Sequence, residues 1–193
     1  MNGKAADENY VVQNGDCISH MIHRHEPPVP SRPIKIIHHD PESGLLVINK
    51  PAGIPVHPSG RYHQNSIATI LRLEHGFTEV LPCNRLDRLT SGVMIMALNK
   101  TVARQIHTQL MQRTVFKEYY CRVTGNFPDG EVAVDKPIAV VSPKHTLNRL
   151  REDGKPSSTV FRKLFYDERR NQSVVLAKPL TGRTHQIRYM IYL

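Results

Sequence analysis

Hydrophobic and polar residues alternate along this chain in two distinct rhythms. "IKIIHHD" (34–40), "GLLVINKP" (44–51) and "GVMIMALN" (92–99) read as strands, the first two separated by a turn. "VFKEYYCRVTG", "EVAVDKPIAVV", "SSTVFRKLFY" and the start of "SVVLAKPLTGRTHQIRYMIYL" add further strands. Two stretches follow the helical period. In "NSIATILRLEHG", Ile67, Ile70 and Leu71 share a face, Asn65 or Ser66 offers an N-cap, and Gly76 ends the helix. In "KTVARQIHTQLMQR", Val102, Ile106 and Leu110 fall at i, i+4 and i+8. A last helix is expected after the glycine-containing turn in "PLTGRTHQIRYMIYL". Many strands, few helices and hairpin-length links predict an α+β fold with a mainly antiparallel sheet.

The rhythm breaks at "PPVPSRP" (27–33), which proline keeps extended and out of any helix or central strand. The polar segment before it carries two Asn-Gly turn signals, Asn2-Gly3 and Asn14-Gly15, which flank a possible strand at Tyr10 to Gln13. That piece is too short to hold a core alone. The chain contains no internal repeat and no low-complexity tract.

Charge narrows the partners. Lys and Arg number 26 against 17 Asp and Glu, a net +9, which favours a polyanion, nucleic acid first. Three widely spaced cysteines give no disulfide framework or zinc pattern, which suits a reducing compartment. "MNGKAADENY" lacks the apolar core of a signal peptide, and "VMIMAL" is too short to span a bilayer. An intracellular, soluble protein without a membrane contact is expected. The Walker, dinucleotide-fingerprint and nucleophile-elbow patterns are all missing. The histidines of "HMIHRHE" match neither the H-E-x-x-H pattern nor a Cys/His zinc spacing, so a metalloenzyme is the weakest reading.

Three places carry groups able to do chemistry, each with two readings. Asp87 lies between Arg85 and Arg88, before the strand at 92–99. It is a turn residue paired with a surface arginine, or an ionised carboxylate held for use as nucleophile or base. "TGRTHQIR" gathers Arg183, His185, Gln186 and Arg188 around Gly182. It is a solvated helix start, or a polar cluster with an arginine to pair with a carboxylate. Tyr119 and Tyr120, beside Lys117 and Arg122, pack as strand residues or offer a base-stacking face.

Taken in order, "LLVINKPAGIPVHPSG", "NRLDRLTSGVMIMALNK", "FKEYYCRVTG" and "GRTHQIR" resemble the four motifs of the RluA-type RNA pseudouridine synthases. "HRHEPPVP" is similar to the eukaryotic branch. The resemblance implies a mixed, mainly antiparallel bent sheet flanked by a few helices over residues 34–193. It also implies a partial S4-like RNA-binding segment at 1–26 and a proline-rich linker at 27–33. It implies isomerisation of uridine to pseudouridine in tRNA or rRNA, with no metal, no organic cofactor and a monomeric protein. Asp87 becomes the catalytic aspartate and Arg85 the arginine that displaces the target base. Tyr119 stacks on the flipped uracil and assists deprotonation at C5, and a buried Arg188 pairs with the aspartate. Arg88, Lys50 and Arg183 are expected RNA contacts. Two departures stand out: Asn84 replaces the family's histidine, and the chain ends at "YMIYL", where the family continues, so the domain is expected to be C-terminally incomplete. The rival reading is a noncatalytic RNA-binding protein of the same fold.

Overall fold

The structure, a computed structural model, describes residues 3, 5–23, 25–142 and 147–192. Its first half is built on β1 (Lys35–Asp40), β2 (Leu45–Lys50), α1 (Ile67–Glu74), β3 (Leu81–Pro82), β4 (Gly92–Ala97) and α2 (Lys100–Met111). The strands pair antiparallel in the order β1-β2-β4-β3. Asp40 turns the chain between β1 and β2. Its carboxylate accepts the N–H groups of Glu42 and Ser43 and the Ser43 hydroxyl. Gly44 follows at φ +79°, and a Cβ there would run into the Asn99 side chain. The inward positions of β2 and β4, Leu46, Ile48, Met94 and Met96, are buried with Ile67, Ala68 and Leu71 of α1. Ser66 is the α1 cap and accepts the Thr69 N–H. Asn99 caps α2 by accepting the Val102 N–H. No residue of α2 is fully buried, so its Val102–Ile106–Leu110 stripe packs only partly against the sheet.

The second half comprises β5 (Tyr119–Thr124), β6 (Glu131–Asp135), β7 (Ile138–Ser142), β8 (Leu147–Leu150), β9 (Ser158–Asp167), β10 (Gln172–Pro179) and α3 (Gln186–Met190). Four of these strands form an antiparallel sheet in the order β5-β10-β9-β6, and β7 and β8 make a separate hairpin. Ile138, Phe161, Val175, Ala177 and Met190 form its core. Tyr119 packs against this core and against the core of the first half. The α+β class and the antiparallel strands agree with expectation. The expected bent sheet is divided between two four-stranded sheets and a hairpin.

Other expectations need correcting. Tyr10 to Gln13 form no strand, because no neighbouring strand completes a hydrogen-bond ladder. The Asn14-Gly15 turn does form: the Asp16 N–H donates to Gln13 O at 3.2 Å, and Asp16 Oδ2 accepts the Gln13 N–H and the Tyr10 hydroxyl. Asn2, half of the other turn signal, lies outside the described residues. "EVAVDKPIAVV" is two strands, since Pro137 has no N–H to continue the ladder. The proline-rich segment is extended, yet it is fastened to the body rather than free. Glu26 accepts the N–H groups of Gln64 and Asn65, Val29 packs on the first core, and Pro30 lies against Gly53. Among the described residues no helix is long and apolar enough to cross a membrane.

Candidate active site

The loop from Cys83 to Ser91 joins β3 to β4 and carries Asp87. Its start is held by the sheet: the Cys83 N–H donates to Ile95 O, and the Ile95 N–H donates to Asn84 Oδ1 at 3.2 Å. Asn84 thus extends the β-ladder with its side chain, a job for an amide oxygen rather than a proton carrier. Leu86 is buried, which turns Arg85 outward and leaves Asp87 31% exposed. The Thr90 N–H closes the turn on Asp87 O at 3.0 Å. Arg88 is exposed at its guanidinium, while its carbonyl accepts the Gly53 N–H at 2.7 Å and Lys50 Nζ at 3.1 Å.

Lys50 corrects the sequence reading most sharply. Expected to touch RNA, it is fully buried. It shares the inward face of β2 with Leu46 and Ile48, and its ammonium donates to the carbonyls of Pro51, Ile54 and Arg88. Burial pushes its pKa down to about 8, against the opposing pull of the Asp87 carboxylate. A cation therefore sits beneath the Asp87 loop and ties it to the 51–54 turn.

The opposite wall comes from the second sheet. After β10 the chain turns through Thr181 to His185 and enters α3. Gln186 is buried and staples this turn: its Oε1 accepts the Thr181 hydroxyl and the Arg183 N–H, and its Nε2 donates to Ser158 O and Thr159 Oγ1. Asn148 of β8 adds a bond to Thr184 O. His185 is thereby held in the left-handed region, at φ 57° and ψ 23°. From there its Nε2 lies 3.7 Å from Asp87 Oδ2, and an Arg188 terminal nitrogen lies 3.9 Å from the same oxygen. Arg188 is 62% exposed, not buried as expected. The buried positions of α3 are Gln186 and Met190, one turn apart, so residue 188 projects away from the core. A pair so exposed and beyond hydrogen-bond range adds little to the stability of the fold.

Tyr119 starts β5, half-buried. Burial, and then the charge of Asp87, raise its phenol pKa, so it is a neutral hydroxyl at physiological pH. Tyr120 points the other way and is exposed. A shallow cleft of about 250 Å³ lined by His185, Arg188, Tyr189 and Tyr192 adjoins these groups. A larger one, about 460 Å³, lies between β3 and α2 and is lined by Pro82, Cys83, Ala103, Arg104, His107 and Thr108. It contains no carboxylate.

Asp87, Tyr119 and Arg188 are therefore brought together, Lys50 is moved beneath them, and Arg183 is drawn aside to donate to Pro156 O at 3.2 Å. Two residues enter that sequence reading had not assigned. His185 gave no sign of its backbone conformation, whereas Gln186 is four residues from Met190 and so shares its face. Among the described residues no three His, Cys, Asp or Glu side chains are grouped to hold a metal. His23 and His25 form only a pair, Nε2 to Nε2 at 2.7 Å.

The geometry joins a carboxylate, cationic partners and a neutral phenol at a seam between two sheets, and comparisons with known proteins bear on it. A family model described as RNA pseudouridylate synthase matches residues 44–192. The chain is 50% identical over 192 residues to a Saccharomyces cerevisiae protein named tRNA pseudouridine(32) synthase, mitochondrial; the match covers 97% of this chain and 40% of that one. It is 46% identical to the human pseudouridylate synthase RPUSD2, over 94% of this chain and 33% of that one. It thus spans well under half the length of these two curated relatives. Among solved structures, human RNA pseudouridylate synthase domain containing 1 superposes with a TM-score of 0.67 at 27% identity, over 85% of this chain and 66% of that one.

Proposed function

We infer from the RNA pseudouridylate synthase family, to which this chain belongs, that it converts uridine to pseudouridine in RNA, with tRNA as the substrate. One observation carries this reading: Asp87, from the first sheet, meets His185 and Arg188, from the second, beside a tyrosine packed on both cores. The tRNA assignment is supported by the name of the yeast relative. Such a substrate makes the protein intracellular. The segment at 1–26 adds an RNA contact, and one copy of the chain suffices for the site.

The target nucleotide leaves its stack, which costs a few kcal/mol. Exposed Arg85, two residues from the acid, fills the gap and contacts phosphate. The Asp87 carboxylate acts on the ribose. The N1–C1′ bond breaks, the detached uracil turns, C5 bonds to C1′, and the C5 proton leaves as N1 gains one. Arg188 and His185 keep the carboxylate aimed, and the Lys50 ammonium lies beneath its loop as RNA excludes water. Tyr119 lends a flat face and one hydroxyl, which hold the free base close enough to recombine.

Tritium release from tRNA transcripts labelled at uridine C5 tests this. Wild type should release label, and Asp87→Asn should release it at least on the order of a thousandfold more slowly. Equal release from both removes Asp87 from the reaction. Tight, salt-sensitive RNA binding by wild type without release favours the noncatalytic reading.

A further inference from the structure

We propose that Tyr62 and Arg88 form a stacking subsite for the nucleotide next to the target uridine. The proposal rests on Asp87 being the reacting carboxylate, since it is Asp87 that fixes where the neighbouring nucleotide must lie. Residues 59–62 form a tight hairpin: Ser59 and Tyr62 exchange backbone hydrogen bonds at 2.9 and 3.0 Å around Gly60-Arg61, with Gly60 at φ +58°. Its base is fixed on both sides. The His63 carbonyl accepts the hydroxyls of Ser66 and Thr69, and Glu26 holds the N–H groups of Gln64 and Asn65. The Tyr62 ring is therefore presented in one place.

Over that ring, 5.9 Å from its centroid, lies the Arg88 guanidinium. The Arg88 backbone is anchored through its carbonyl to Lys50 and Gly53, and its side chain is exposed. An exposed arginine whose guanidinium lies 5.9 Å from the centroid of a half-buried ring sets two flat groups together at the surface. That is a platform for a nucleobase, which stacks on guanidinium and aromatic planes alike. Its position selects the base. Arg88 directly follows Asp87, so a strand that delivers its ribose to Asp87 must pass its adjoining nucleotide over Arg88 on one side or Arg85 on the other. The surroundings suit a polyanion: Arg61 at the hairpin tip, His63, Arg85 and Arg88 are all exposed. Stacking discriminates weakly between bases, so the subsite would set register along the strand more than sequence.

The probe is a short single-stranded oligoribonucleotide carrying 2-aminopurine beside a central uridine, with total tRNA transcripts as competitor. Wild type should quench the fluorophore. Tyr62→Ala should lose the quench and weaken binding by about 5- to 150-fold. Tyr62→Phe, which keeps the ring, should stay within about twofold. Arg88→Lys keeps the charge and loses the plane, so it should lose the quench while keeping the salt dependence of binding. An unaltered quench in both Tyr62→Ala and Arg88→Lys, with melting curves matching wild type, overturns the subsite. Quench that survives Arg88→Lys but not Arg88→Ala reduces Arg88 to a phosphate contact and also overturns it. Asp87→Asn should bind and quench as wild type does. Its loss of tritium release concerns the catalytic reading, so the two failures can be told apart.

Discussion

Replacing Lys50 with methionine separates the work of a buried cation from that of a surface one. Methionine has similar length and fits a position fully closed to solvent. Two effects oppose each other in stability. The fall of the Lys50 pKa from 10.5 to about 8 means that the folded state holds the ammonium at a cost of about 3 kcal/mol at neutral pH. Methionine removes that cost. It also strips a donor from the carbonyls of Pro51 and Ile54, while Arg88 O keeps the Gly53 N–H. Two acceptors losing their donor cost about 2–4 kcal/mol together. The variant should therefore lie within about 1–2 kcal/mol of wild type at pH 7, despite the loss of a fully buried side chain's bonds.

The pH dependence gives this a sign. Between pH 8 and 10.5 the unfolded chain keeps its Lys50 proton and the folded chain has lost it. The unfolded state then binds more protons, so stability rises with pH in that window. Other groups titrate there too, with burial holding the Cys83 thiol protonated up to about 11, so the wild-type minus variant difference is the quantity to follow. It should grow by up to about 1.4 kcal/mol per pH unit. Urea unfolding of both proteins from pH 7 to 10.5 measures it. Turnover should fall on the order of a hundredfold, because the Asp87 loop loses the Lys50 ammonium that joins Arg88 O to the carbonyls of Pro51 and Ile54 and keeps only the Gly53 N–H. RNA affinity should hold. A flat difference across the pH window, or a tenfold loss of affinity with turnover intact, refutes the buried-cation reasoning and restores Lys50 to the RNA surface.

Other substitutions test single links in the site. Arg188→Gln should change unfolding free energy by less than about 0.5 kcal/mol, given its exposure, yet lower tritium release at least tenfold; a large stability loss with normal release contradicts its orienting role. Gln186→Ala should cost about 2–4 kcal/mol in urea unfolding, since Thr181, Arg183, Ser158 and Thr159 all lose a partner. Asn84→Ala should cost about 1 kcal/mol, seen as a drop of a few degrees in melting temperature, with release near wild type. Tyr119→Phe should keep RNA binding and slow release; because the phenol pKa is raised, neither protein should show a Tyr119-dependent change in release below about pH 10.

Much of this was readable from residue pattern. Helix α1 was legible because Ser66 precedes a clean helical period, α2 from its period alone, and β2 and β4 from their apolar runs. Tyr10 to Gln13 failed because apolar residues with turn flanks make a strand only if another strand is beside them. The hairpin of β7 and β8 was half seen: Pro137 should have split the run, whereas "LNRL" has no alternation that marks a strand. Lys50 was misplaced by chemistry overriding parity. It stands two residues from Ile48 and four from Leu46, so the strand period puts all three on one face. Nothing in "RTHQ" announces the left-handed turn at His185, which depends on Asn148 and on the reach of Gln186 across to β9.

On the proposed function, the two-sheet origin of the site explains why the contacts of Asp87 are loose before RNA arrives. Asp87 is fixed by bonds within the first half, and His185 and Arg188 by bonds within the second. Their separations of 3.7 and 3.9 Å are set by how the halves pack, with Tyr119 sharing both cores. In a water-exposed cleft such contacts are worth little. On the proposed function, when an RNA strand covers Arg85 and Arg88 and a base fills the cleft, water leaves, the local dielectric falls, and the Asp87–Arg188 separation carries several times the energy. Catalytic bonds that are long in the free protein tighten in the complex. On the proposed function, an exposed Arg188 is then no defect. The orienting interaction is strong only when substrate supplies the missing wall, and the free protein avoids the cost of keeping an ion pair buried.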